Sequence, residues 1–259
     1  MELTEQEIKA LCFYEGDAEG SDPFWGDKKA YLTLNSLLYP GLRNERDRTA
    51  EGKKLNPAIL EEEKYPLLAV YRNLLSAVCK DVRDYDRHTW RVERYSDFRQ
   101  QQSVGRTLSF TSTSKAGFLK VFQDRIGIAL LKVTIPAGVP ALDFEEALPH
   151  YAKADEHEVL LPPFLRFSFK EVPLTEEEME IRDAAGQPPR IACEATVSLP
   201  RSKEKNTLIS LPFPEPGKRV YAALNKGQEP QQQDIADYLA YKAALQRILH
   251  REFDSLTAR

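Results

Sequence analysis

Two glutamates separated by one residue, Glu156 and Glu158, precede an apolar run that ends at Pro162 and Pro163. If a strand begins at or just before Glu156, its period of two places both carboxylates on one face and turns the residue between them away. Two nearby carboxylates suit a reaction at a glycosidic carbon: one stabilises positive charge on the sugar and the other accepts a proton from the nucleophile. Acidic pairs with this spacing are also common on exposed strands, so the pair alone does not define a site.

Two weaker signals precede the glutamates in the chain. Residues 110–114 read Phe-Thr-Ser-Thr-Ser, and hydroxyl groups on a short strand can orient a carboxylate and line a polar cleft. Arg91 lies in an alternating segment, and its planar fork suits a diphosphate. Each signal also has an ordinary interpretation, because Ser114 can be a helix N-cap and Arg91 can be a solvated residue opposite Trp90 and Val92.

The order of these three signals is more specific than any one of them. Arg91, then residues 110–114, then Glu156–Phe164 closely resembles the arginine-type mono-ADP-ribosyltransferases, the family of vertebrate ecto-enzymes and of bacterial binary toxins and effectors. The resemblance covers roughly residues 88–170, and Tyr31–Asn35 is similar to that family's helical lead-in. It implies that ADP-ribose is transferred from NAD+ to a protein acceptor, most often an arginine side chain, with release of nicotinamide.

The resemblance also implies a role for each matching residue. Arg91 is expected to bind the phosphates of NAD+. Ser112 is expected to hold the catalytic glutamate by a hydrogen bond, and Thr113 and Ser114 to shape the nicotinamide pocket. Glu158 is expected to contact the ribose 2′-hydroxyl and to stabilise an oxocarbenium-like transition state.

The acceptor side of the reaction is assigned by the same resemblance to Glu156 and to the loop of residues 148–155. Glu156 is expected to make the acceptor guanidinium nucleophilic and so to set the arginine preference, and Tyr151 is the expected substrate contact in the loop. The chain departs from the family at Val92, where a glycine is frequent, which keeps Arg94 as an alternative phosphate ligand. The loop itself matches no particular target.

The reaction that the resemblance implies needs no metal ion. NAD+ carries a neutral leaving group, and the protein must supply a grip on two phosphates, a negative charge beneath the developing cation and a base for a guanidinium whose pKa is above about 12. The four histidines and three cysteines show no metal-ligand spacing. We therefore expect NAD+ as a substrate and no bound metal.

Three other functions stay open at this point. Hydrolysis of NAD+ with water as the acceptor would use the same residues. A non-catalytic NAD-binding or interaction module could share the fold. The diphtheria-like branch uses a strand histidine, for which His88 is a candidate, but residues 112–114 occupy the place where its first tyrosine is expected.

Periodicity predicts the elements that must position these residues. We expect an α+β class with a split, mainly antiparallel β-sandwich core, a helical N-terminal region (1–86), an NAD-binding core (87–200) and a linker with a C-terminal helix packed on the core (201–259). Expected helices are 29–38, 65–82, a short one at 115–123 and a terminal one through 235–249. Expected strands are 88–93, 108–113, 128–135, 158–169 and 191–199. A solvated loop is expected at 43–54, and residues from Pro200 to the terminal helix are expected to be a polar connection.

Composition limits the partners. With 36 basic and 40 acidic residues and a net charge of −4 over 259 residues, the chain is not expected to bind nucleic acid by bulk charge. No run approaches the about 20 apolar residues of a membrane span, and Met1–Glu7 lacks the features of a signal peptide. We expect a protein acceptor of unknown identity, met in the protein's own cytosol or in that of a target cell into which it is delivered.

Overall fold

The computed structural model describes residues 1–15, 30–52, 54–60, 66–118, 126–150, 156–200 and 210–258. The chain divides into two compact units. One unit is Val78–Ser202, and the other combines Glu2–Ala77 with Lys203–Arg259. No described helix is both long and apolar enough to cross a bilayer.

Helices and strands alternate unevenly along the chain, as expected for an α+β protein. The helices are α1 (Glu5–Glu15), α2 (Ala30–Leu38), α3 (Arg43–Ala50), a 3₁₀ turn (Pro57–Leu60), α4 (Leu67–Lys80), α5 (Tyr95–Val104), α6 (Phe144–Ala147), α7 (Glu176–Met179), α8 (Glu215–Asn225) and α9 (Gln232–Thr257). The strands are β1 (Arg87–Arg94), β2 (Thr111–Ser114), β3 (Ile128–Ile135), β4 (Leu142–Asp143), β5 (Glu158–Leu161), β6 (Arg166–Val172) and β7 (Ile191–Ser198).

The described strands form one seven-stranded sheet in the order β4-β5-β2-β1-β3-β7-β6. Every neighbouring pair is antiparallel except β3 with β7. The ladder between β1 and β2 is short: within residues 66–118, Trp90 opposite Ser114 is the single position at which these two strands pair. The α+β class with a mainly antiparallel sheet core is thus confirmed, and the described strands form a single seven-stranded sheet.

Alternation along β1 sets which side chains enter the core. Val92 is 2% exposed and packs with Ile128, Leu130 and Ala192 in an apolar cluster. The opposite face of β1 carries polar side chains, as the sequence predicts. β3 is buried on both faces over its first four residues, as a strand between two neighbours must be.

Three expected elements of this unit differ in the structure. The strand expected at 158–169 is two strands, β5 and β6, because Pro162 and Pro163 interrupt the ladder. The strand expected at 108–113 begins only at Thr111. Residues 115–118 are turn and bend rather than the start of a helix, and residues 119–123 of that predicted helix lie outside the described part of the chain.

The helical unit begins with a capping box. Thr4 Oγ1 accepts from the Glu7 N–H at 3.3 Å, and Glu7 Oε2 accepts from the Thr4 N–H at 2.7 Å. Burial along α4 follows the predicted stripe, and Tyr71 of that helix donates its hydroxyl to the Leu34 carbonyl at 2.6 Å. This contact joins α4 to α2.

Two predictions for the helical unit are wrong. The expected loop at 43–54 contains helix α3, whose Glu45 is fully buried and ion-paired with Lys242 of α9 at 2.7 Å. The expected polar connection before α9 contains helix α8. In α8 a Cβ at Gly217 would meet Tyr238 at 2.7 Å and Leu60 at 2.8 Å, so this glycine permits close packing.

Candidate active site

Arg91 lies on β1 directly after Trp90, the residue that pairs with Ser114 of β2. Its Nη1 donates to the main-chain carbonyl of Ser112 on β2 at 2.5 Å, and its Nε donates to Glu93 Oε2 at 2.7 Å. The Arg91 side chain is 19% exposed and that of Glu93 only 4%. The guanidinium is therefore held in the opening where β1 and β2 diverge, with one edge on a buried carboxylate.

Glu158 is brought next to the hydroxyl-bearing strand by the register of β2 with β5. Ser114 lies opposite Glu158 and Ser112 lies opposite Leu160. Directly opposed residues of an antiparallel pair share a face, so Ser112 and Ser114 lie on the same side of the sheet as Glu158. Ser114 is the direct cross-strand neighbour of Glu158, and Ser112 is its diagonal neighbour.

The two glutamates converge as the spacing predicts. Carboxylate oxygens of Glu156 and Glu158 lie within 4.8 Å of each other, and Glu158 is 7% exposed whereas Glu156 is half-buried. β5 begins only at Glu158, so strand alternation alone does not place Glu156. The intervening His157 has φ of +45°, and this left-handed residue turns the chain at the strand's start.

The hydroxyls of residues 113 and 114 are both engaged with the main chain. Thr113 Oγ1 donates to the Val159 carbonyl at 2.8 Å, and Thr113 is buried on the face opposite Ser112. Ser114 Oγ accepts from the Ala116 N–H at 3.0 Å. Thr113 thus ties β2 to β5, and Ser114 closes the turn after β2.

A charged network supports the turn that carries Glu156. Lys115 Nζ contacts Asp143 Oδ2 and Glu145 Oε2, each at 2.7 Å, and Glu145 Oε1 lies 2.5 Å from His157 Nδ1. The hydrogen bond from Lys115 and that from His157 lower the pKa of Glu145. Burial tends to lower the pKa of Lys115, but its hydrogen bonds to Asp143 and Glu145 outweigh burial and raise it. Lys115 and Glu145 therefore both keep their charges near neutral pH.

The alternative residues on β1 lie on the face of the strand opposite Arg91, which is the face that Trp90 shares with Ser114. Val92 faces the apolar cluster, so the departure from glycine falls on the side of the strand opposite Arg91. Arg94, opposite Ile128 in the register, lies on the same face as Val92. His88 is exposed on that face too, with its Nδ1 3.3 Å from Thr134 Oγ1. Neither Arg94 nor His88 shares the face of Arg91.

One predicted site residue lies outside the described part of the chain, and three residues near the site are not predicted from the sequence. Tyr151, the expected substrate contact, lies outside the described residues. No role is assigned to Glu93 from the sequence, although opposite charges two residues apart on one strand are a recognisable pairing signal. Lys115 and Glu145 carry no such local signal, because 30 residues separate them in the chain.

The arrangement joins a cation, hydroxyl groups and two carboxylates in one region of the sheet. The Arg91 guanidinium contacts the main chain of β2. On its other side β2 pairs with β5, whose first residue is Glu158. Such a set can bind an anion with the guanidinium and stabilise a developing positive charge with a carboxylate. A second carboxylate close to the first can accept a proton.

Comparison with known proteins adds information on the fold. No family model matches the sequence, and no curated protein matches it. Among solved structures, the chain is similar to BECa, an ADP-ribosylating toxin of a binary enterotoxin of C. perfringens solved with NADH, at 19% identity and a TM-score of 0.50. The match covers 76% of this chain and 44% of that toxin, so the chain spans less than half of the toxin's length.

Two smaller bacterial proteins are also similar. C3stau2 from S. aureus, solved with NAD, is 15% identical with a TM-score of 0.46, over 77% of this chain and 89% of that one. The Clostridium limosum C3 exoenzyme is 16% identical with a TM-score of 0.46, over 76% and 87%. The similarity to BECa shows that the chain shares the fold of that ADP-ribosylating toxin, at an identity that shows the fold alone.

Proposed function

We propose that this chain transfers ADP-ribose from NAD+ to an arginine side chain of a protein and releases nicotinamide. The observation that carries the proposal is the contact of Arg91 with the Ser112 carbonyl, on the strand that pairs Ser114 with Glu158. This contact joins the segment of Arg91 to β2, which in turn pairs with the segment of Glu158. The similarity in fold to ADP-ribosylating toxins supports the same activity.

The residues present fit NAD+ as a substrate. Arg91 offers a guanidinium held by Glu93, which suits a diphosphate because a planar fork can donate two parallel hydrogen bonds to phosphate oxygens. Glu158 offers a carboxylate that is 7% exposed, and in such a place its charge is poorly screened by water. Ser112 and Ser114 flank it on the same face.

The proposed reaction breaks the bond between the ribose C1′ and the nicotinamide nitrogen, and that nitrogen keeps the electron pair. Glu158 stabilises the positive charge that develops on the ribose. Glu156 accepts a proton from the acceptor guanidinium, whose nitrogen then supplies the pair for the new bond to C1′. Its half-buried carboxylate lies within 4.8 Å of Glu158, which suits a base acting beside the stabilising charge.

A decisive experiment incubates the protein with NAD+ and cell lysates and identifies modified residues by mass spectrometry. ADP-ribose on arginines supports the proposal and also identifies the acceptor. Release of nicotinamide without protein modification supports NAD+ hydrolysis instead. Absence of NAD+ binding in calorimetry supports a non-catalytic interaction module.

A further inference from the structure

We infer that His157 and Glu145 are positioning residues that set the orientation of Glu156 for the acceptor. This inference rests on the proposed function and deepens it, because it names a specificity device for the same site. His157 and Glu145 belong to a cluster of four residues with Lys115 and Asp143, which we call the clamp. The clamp joins the end of β2, the start of α6 and the turn before β5.

Each member of the clamp has at least two contacts. His157 Nδ1 donates to Glu145 Oε1 at 2.5 Å, and the His157 carbonyl accepts from the Lys115 N–H at 2.9 Å. Lys115 Nζ bridges Asp143 and Glu145. Asp143 in turn accepts from the Glu145 N–H at 3.1 Å and so caps α6. Residue 157 is therefore held through both its side chain and its backbone.

The backbone at His157 explains why a clamp is needed. A φ of +45° is uncommon for residues other than glycine, and although histidine adopts it more readily than most residues, its local preference alone does not hold this turn. Tertiary contacts must select it. The turn determines where the carboxylate of Glu156 points, because Glu156 immediately precedes it and lies outside the regular pairing of β5.

The two glutamates depend on the clamp to different extents. Glu158 is fixed by its own pairing with Ser114 and by burial. Glu156 has no ladder position, so the position of its backbone follows the turn at His157. Loss of the clamp should therefore impair the step that uses Glu156, which is transfer to arginine, and should leave the step that needs only Glu158, which is hydrolysis.

The test compares His157→Asn and Glu145→Ala with two matched controls. Asparagine tolerates a left-handed backbone but is too short to reach Glu145, so His157→Asn removes the contact without adding strain. His88→Asn alters an exposed histidine on β1, and Glu146→Ala alters the neighbouring glutamate of α6, which pairs with Arg83. Each variant is assayed with NAD+ for transfer to an arginine-containing peptide and for nicotinamide release without an acceptor.

We expect His157→Asn and Glu145→Ala each to lower kcat for transfer about tenfold or more, since small displacements of a reacting group can cost up to about a hundredfold. Hydrolysis should change little in either variant, and both controls should behave as wild type. The double variant should lose no more than the worse single variant, because one clamp is broken in both cases. Equal loss of transfer and hydrolysis, or no loss of transfer, would overturn the inference.

A second readout does not depend on activity. The amide of Lys115 donates to the His157 carbonyl, so its hydrogen exchange measured by NMR should accelerate in His157→Asn and Glu145→Ala but not in Glu146→Ala. Unchanged exchange contradicts the clamp whatever the enzyme does. Accelerated exchange in a protein that neither transfers nor hydrolyses supports the clamp and rejects the proposed function.

Discussion

Nη1 of Arg91 lies 2.5 Å from the main-chain oxygen of Ser112, although strict alternation from the Trp90–Ser114 pair assigns Arg91 to the opposite side of the sheet. The contact forms because β1 and β2 diverge directly beyond that pair. Glu93, buried on the same strand, holds the other edge of the guanidinium at 2.5 Å from Nη2. A break in the sheet therefore directs an arginine toward the strand beside Glu158.

Replacing Arg91 with lysine should weaken NAD+ binding. Lysine keeps the positive charge but loses the planar fork that can hold both Glu93 and a phosphate, so we expect the Kd to rise about tenfold, or about 1.4 kcal/mol. Titration calorimetry measures it. Arg94→Lys is the matched control and should leave the Kd unchanged, since Arg94 is the last residue of β1, opposite Ile128 and four residues beyond the Trp90–Ser114 pair. The reverse pattern would make Arg94 the phosphate ligand.

Replacing Arg91 with alanine should destabilise the fold, because the buried Glu93 carboxylate is paired with the Arg91 guanidinium. In Arg91→Ala the 4% exposed Glu93 carboxylate loses its cation, and we expect the free energy of unfolding to fall by about 2 to 4 kcal/mol. Urea denaturation checks this. Adding Glu93→Gln should recover part of the loss, because no buried charge is then left unpaired. A double variant less stable than Arg91→Ala would contradict this interpretation of the pair.

The elements that carry the site could be predicted where local pattern and tertiary structure agree. The alternation of β1 and the bounds of β3 follow the sequence closely, although the polar face of β1 is not solvated, since Thr89 and Glu93 are buried. The convergence of Glu156 with Glu158 was also predicted, but its cause was not. The prediction assumed strand alternation, whereas a left-handed turn at His157 brings the carboxylates together.

Other elements escaped prediction because remote contacts stabilise them. α3 has a charged sequence typical of a loop, yet its Glu45 is buried against Lys242 and Tyr238, 197 and 193 residues away. α8 begins among prolines and contains Gly217, which resembles a linker until the packing of Tyr238 against that glycine is known. Periodicity within a short window carries no information on such partners.

Glu156→Gln should separate the two reactions of the proposed site. Glutamine cannot accept the proton from the acceptor guanidinium, so we expect transfer to arginine to fall about a hundredfold or more. Hydrolysis of NAD+ should stay close to wild type, since Glu158 is untouched. Parallel assays of nicotinamide release with and without an arginine-containing peptide measure both. Equal loss of the two activities would remove Glu156 from its role at the acceptor.

Asp183 should make stability depend on pH in the acid range. Its carboxylate accepts from the N–H groups of Gly127, Gln187 and Ala185 at 2.7 to 2.9 Å, and these hydrogen bonds lower its pKa. Because the folded pKa is below the unfolded value of about 3.9, the stabilisation is complete above that value and is lost as the pH falls through the folded pKa.

Asp183→Asn should therefore be less stable than wild type near neutral pH, and the difference should shrink as the pH falls below the unfolded value of about 3.9. Urea denaturation across this range measures the difference. Asp84→Asn, which alters an exposed aspartate, should show no such pH dependence. A deficit in Asp183→Asn that is the same at every pH would show that the charge of Asp183 is not what stabilises the loop.

The central claim is that Glu158 stabilises the charge formed when the nicotinamide bond of NAD+ breaks. Its most direct test is the rate of nicotinamide release by Glu158→Gln, compared with wild type and with Glu194→Gln, an exposed glutamate on β7. We expect Glu158→Gln to keep the wild-type melting temperature and to lose both transfer and hydrolysis by about a hundredfold to a thousandfold, whereas Glu194→Gln keeps both. Nicotinamide release at the wild-type rate in folded Glu158→Gln would contradict the account.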